Sequence, residues 1–125
     1  MCNNIYYVTI ALLFLFIGLS FNAAYTRRKS GLAVGEGQNE KLIRAVRAHG
    51  NFSEFTPMFL ISLVIADLLS KNCGYVAYLG SIFILGRISH AASMFLKKDI
   101  LRVIGMMMTM IPLVSNLVYL IILVV

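Results

Sequence analysis

The residues best suited to chemistry lie in one short stretch ending at Pro57: Arg44, Arg47, His49, Asn51 and Glu54. If the stretch is helical, ~100° per residue puts Arg44, Arg47, Asn51 and Glu54 within about an 80° sector. One helix face then carries two guanidinium forks, an amide and a carboxylate, a set suited to a small zwitterionic or anionic molecule. A second polar group, Gly86, Arg87 and His90, interrupts an otherwise apolar run, with Arg87 and His90 one turn apart on the same side. Glu54 stands two turns, or ~10 Å, from Arg47, too far for the two to pair within the helix. Arg87 is therefore the candidate partner of Glu54, either as an ion pair that only fixes helix packing or as part of a binding site. Arg102 is placed to stabilise a developing anion such as a thiolate.

Such groups must be positioned by helices that live in lipid. The chain is 60% hydrophobic and only 13% charged, with a mean hydropathy of +0.87. A soluble domain is about half apolar and a quarter charged, so the composition predicts an all-α integral membrane protein. Its length suits four spans of ~20 residues in a single domain covering residues 1–125. The hydropathy places them at about 5–25, 53–70, 75–96 and 101–124. Asn39 is positioned to cap the second helix, which begins polar at Glu40, Lys41, Arg44 and Arg47. The first apolar run lacks a basic leader and is followed by Arg27, Arg28 and Lys29, the pattern of a retained first helix.

The net charge of +6 lies beside hydrophobic runs, not on a solvated stripe with interleaved aromatics. Anionic headgroups or an acidic substrate fit that placement better than nucleic acid. Lysine and arginine concentrate after the first span and after the third, which predicts both connections in the cytoplasm and both termini facing away from it. Cys2 and Cys73 are single cysteines in separate segments, without metal-ligand spacing. That pattern argues against a disulfide framework and against a zinc site. His49, about half a turn off the polar face, reads as an interfacial histidine. Met106, Met107, Met108 and Met110 read as packing or lipid-facing residues and not as a metal site.

Arg47-Ala48, Asn51, Glu54 and Pro57 together resemble the second-helix pattern R-A-x-x-N-x-x-E-x-x-P of the MAPEG family, the membrane-associated proteins of eicosanoid and glutathione metabolism. Gly86, Arg87 and His90 resemble that family's third-helix motif, and the Gly31–Gln38 loop is most similar to its small bacterial branch. The resemblance implies a homotrimer of four-helix subunits in a bacterial inner membrane, with glutathione as co-substrate bound between subunits. By position, Arg47, Asn51 and Glu54 would hold its charged ends, with Arg87 and His90 in the same network and Arg28 reaching in from a neighbour. Arg44 reads either as a headgroup anchor or as a further glutathione ligand. Arg102 resembles the arginine that stabilises the thiolate. The implied activity is that of a transferase or peroxidase acting on lipophilic electrophiles.

Many catalytic members have tyrosines where this chain has Phe55 and Met94. That departure favours an alternative, a non-enzymatic lipid-binding or scaffold protein of the same fold. A small proton-coupled exporter is disfavoured, because the first span contains no acid.

Overall fold

A computed structural model describes all 125 residues as four helices with no strand. Helix α1 is Asn3–Ser30, α2 Glu40–Ser70, α3 Cys73–Leu96 and α4 Asp99–Val124. Each is long and apolar enough to cross a membrane. The bundle is inverted relative to a soluble protein. Only 27 of 125 residues are buried, while side chains as apolar as Phe14, Phe21 and Ile122 are about 70% exposed on its outer surface. Water would not tolerate that much apolar surface, and lipid does.

The ends of the helices follow from local chemistry. Three cations, Arg27, Arg28 and Lys29, occupy the last turn of α1, where the helix dipole favours them. The helix thus runs past the apolar stretch that marks it. Gly31 closes it in the left-handed region at φ 72°, donating its N–H to the Arg28 carbonyl. The Asn39 side chain accepts from the Leu42 N–H and starts α2, as its sequence position predicts. Asn72 does the same for α3 through the Tyr75 N–H. Helix α2 is continuous from its polar beginning to Ser70, with Pro57 inside it. At 31 residues it is about 46 Å long, more than a ~30 Å hydrocarbon core requires. Its polar first half therefore extends beyond the apolar layer.

Helices α3 and α4 form the most extensive pairing, and α1 packs on α2 and α3 without touching α4. Two glycines allow the α3–α4 approach. A Cβ on Gly105 would lie 2.6 Å from the His90 nitrogen, and one on Gly86 2.9 Å from the Met108 carbonyl carbon. Across α2 and α3 the core centres on Phe59 and Phe83, stacked with ring centroids 3.8 Å apart.

One expectation is overturned at the end of the bundle opposite the basic connections. Cys2 and Cys73 form a disulfide across 71 residues. The start of α1 and the α2–α3 turn share one end, so cysteines in separate segments become neighbours. Asp67, fully buried, reinforces the junction by accepting the Cys2 backbone N–H at 2.9 Å.

Candidate functional site

Four of the residues singled out by type and spacing line one cavity. Arg47, Asn51 and Glu54 from α2 and His90 from α3 border a space of about 290 Å³. Arg47 and Glu54 are exposed at its mouth, while His90 is 6% exposed in its wall. Met94 also borders it, and so does Glu36, which the sequence reading did not single out. The loop delivers Glu36 through two devices. Arg27 Nη1 holds the Gly35 carbonyl at 2.5 Å, and Gly35 and Gly37 on either side adopt φ 74° and 54°, where a side chain would be strained. The glycine-flanked acid was visible in the sequence, but its loop's return onto α2 was not.

Beneath the cavity lies Arg87, 2% exposed and without a carboxylate partner. The anticipated Glu54–Arg87 ion pair does not form. Instead Arg87 Nη1 donates to Asn51 Oδ1 at 2.6 Å and to the Asn51 carbonyl at 3.3 Å, and Nη2 donates to Thr109 Oγ1 on α4. The rings of Phe55 and Phe83 flank the guanidinium at 5.5 and 5.6 Å, within cation–π range. Glu54 is turned outward, so neutral oxygens and aromatic faces solvate the cation. A side chain with five donors and no acceptor dictates the Asn51 orientation: the amide oxygen must face Arg87. The Nδ2 donors of Asn51 are left for the cavity. Thr109 is a second residue the sequence reading missed, since a threonine in an apolar helix carries no signal until its face is known.

Other candidates lie elsewhere. Arg44 is half-buried, pairs with Glu40 at 2.9 Å, and lines a different cavity between α1, α2 and α3. Lys97 joins the same carboxylate at 3.0 Å, and Lys97 first, then Arg44, holds the Glu40 carboxyl below its ordinary range. Arg28 is exposed at the end of α1. Arg102 is exposed near the start of α4, 3.7 Å from Asp99 and outside the Arg47 cavity. His49 rests half-buried against Phe16, ring centroids 5.4 Å apart. A further polar contact crosses the membrane interior, where buried Asn116 donates to Ser62 Oγ at 2.8 Å and accepts from the Tyr75 hydroxyl at 3.2 Å. No three His, Cys, Asp or Glu side chains come together as a metal site would need.

Comparison with known proteins agrees with this architecture. The chain is 28% identical over 90 residues to the inner membrane protein YecN of Escherichia coli strain K12, a match covering 72% of this chain and 67% of that protein. YecN of E. coli O6:H1 matches to the same extent. No solved structure gives a significant match. The model of the MAPEG family matches residues 5–122, almost the whole four-helix bundle, and this multi-pass membrane protein belongs to that family.

Proposed function

We propose that the protein is a glutathione-dependent membrane enzyme, a transferase or peroxidase acting on lipophilic electrophiles, and that it works as a homotrimer. The observation that carries the reading is the convergence of Arg47, Asn51, Glu54 and His90 on one cavity above the buried cation Arg87. Its volume of about 290 Å³ sits at the lower edge of the ~300–1,000 Å³ usual for small-molecule sites. A neighbouring subunit would complete a larger pocket at its open side.

The donor set fits a peptide-like zwitterion with more than one carboxylate. The Arg47 fork offers a bidentate carboxylate contact, and the Asn51 Nδ2 group donates beside it. Glu54 offers an acceptor for an ammonium group, with Glu36 as a second acid at the rim. Arg87 acts as a positioning residue, holding Asn51 and contributing positive potential from below. When bound, glutathione supplies the nucleophilic sulfur. Arg102 would stabilise its ionised form and Arg28 would reach in across the subunit boundary, a division of labour that accounts for both being exposed in a single chain. The electrophile would enter from the lipid between helices.

The relative YecN is named as an inner membrane protein, which supports a bacterial inner-membrane location. The disulfide supports the orientation read from the basic connections, because disulfides persist in oxidising compartments and Cys2–Cys73 lies at the opposite end. A lipid-binding scaffold is the second reading. It is favoured by Phe55, whose ring is committed to Arg87, and by Met94, which gives the cavity a thioether where a hydroxyl could have served. The two readings separate in one assay. Detergent-purified protein given glutathione should develop thiolate ultraviolet absorbance and conjugate an aryl halide or reduce a lipid hydroperoxide, with loss of both on Arg102→Ala. Neither signal in protein that still binds glutathione would favour the scaffold.

A further inference from the structure

A second and larger cavity lies at the basic end of the bundle, between the end of α1, the start of α2 and the end of α3. It encloses about 520 Å³ and shares no part of the Arg47 site except Met94. Four cations line it: Lys29, Lys41, Arg44 and Lys97. One carboxylate, Glu40, answers them by pairing with both Arg44 and Lys97. Lys29 and Lys41 have no acidic partner. Lys41 also stands in the first turn of α2, where the helix dipole is unfavourable to a cation. An anion in the cavity would relieve both conditions.

The cavity is not closed toward the membrane interior. Asn22 and Phe95 border it and also border an apolar groove running along α1, lined by Phe14, Leu15, Gly18 and Leu19. Gly18 forms an open section of this groove, with nothing within 4 Å of where its Cβ would be. A basic chamber at headgroup depth that continues into an apolar channel has the polarity profile of an anionic amphiphile. We propose that this face binds an anionic phospholipid, its phosphate among Lys29, Lys41 and Arg44 and an acyl chain along α1 past Gly18. Membranes carry such lipids at high local concentration, and basic residues at this depth select them over zwitterionic ones.

Native mass spectrometry of the detergent-purified assembly tests the assignment, with phosphatidylglycerol and phosphatidylcholine supplied in equal amounts. The lipid site predicts preferential retention of phosphatidylglycerol, falling by about twenty- to thirty-fold in a Lys29→Gln, Lys41→Gln double variant. Both lysines are exposed, so the variant keeps its fold. Gly18→Leu puts a side chain into the groove from a position where its Cβ meets nothing within 4 Å, and should reduce retention of the lipid while leaving thermal stability unchanged or slightly higher. Excess inorganic phosphate should leave the lipid bound. Equal retention of the two lipids, indifference to either variant, or displacement by inorganic phosphate would each overturn the proposal, the last by assigning the chamber to a free anion.

Discussion

Arg87 is a buried cation held by neutral oxygens, and that arrangement predicts a strong asymmetry between two substitutions. Thr109→Val keeps the volume of a side chain that is 0% exposed and removes the hydroxyl that accepts from Arg87 Nη2. A hydrogen bond to a charged group contributes about 1.5–3 kcal/mol in water-soluble proteins. Measured couplings inside membranes are smaller, ~0.6 on average and ~1.7 at most, because the unfolded chain also finds partners there. The membrane value governs here, but burial of a full charge places this contact at its upper end, about 1–2 kcal/mol. In an Arg87→Met background the same substitution should cost less than ~0.5 kcal/mol, since Thr109 then keeps only its local bond to the Gly105 carbonyl at 2.8 Å. The coupling, about 1–2 kcal/mol, is a five- to thirty-fold change in the unfolding equilibrium. Reversible unfolding in mixed micelles, followed by far-ultraviolet dichroism on all four proteins, measures it. Equal costs of Thr109→Val in both backgrounds would refute the role assigned to Arg87.

Further outcomes follow from packing, the disulfide and charge. Gly105→Ala, which drives a methyl group against the His90 and Gly86 backbones, should lower the unfolding temperature sharply, by a free energy of ~2 kcal/mol or more, whereas Gly18→Ala should not lower it. Cys2→Ser should destabilise by at most about 4 kcal/mol, the chain-entropy value for a loop of this size. In sealed vesicles a membrane-impermeant reductant followed by a thiol-reactive polymer should label Cys73 only from the face opposite the basic connections; labelling from the basic face would invert the proposed orientation. Glu40 is exposed, and its carboxyl is held below the ordinary range by Lys97 and Arg44. A depressed value stabilises above the unfolded value and is lost as pH falls through the folded one, so Glu40→Gln should slightly lower thermal stability near neutrality, leave it unchanged at acid pH, and so flatten the acid limb.

Much of the architecture was legible in the sequence, because lipid imposes a simple rule: long apolar runs become helices. The Asn39 cap and the polar beginning of α2 were equally plain, since both are set by residues adjacent in sequence. The shared face of Arg47, Asn51 and Glu54 followed from helical periodicity alone. Pairings between helices were harder. Charge suggested Glu54 as the partner of Arg87, but rotation of α2 turns Glu54 outward and brings Asn51 inward, and only the packed bundle decides that. Thr109 and Glu36 were missed for the same reason, one hidden in an apolar helix and the other in a loop that folds back. The Cys2–Cys73 disulfide is legible in principle. The charge bias had already placed the N-terminus and the α2–α3 turn at one end, which makes the cysteines neighbours despite 71 residues between them.

The central claim is that the Arg47 cavity holds glutathione, and calorimetric titration of the detergent-purified protein tests it most directly. The wild-type protein should bind glutathione, and a variant combining Arg47→Ala with Glu54→Gln should not, while both show the same helical content. Both residues are exposed at the cavity mouth, so the fold does not depend on them. No heat of binding from well-folded wild-type protein, or binding that survives in the variant, would contradict the claim and remove glutathione from this site.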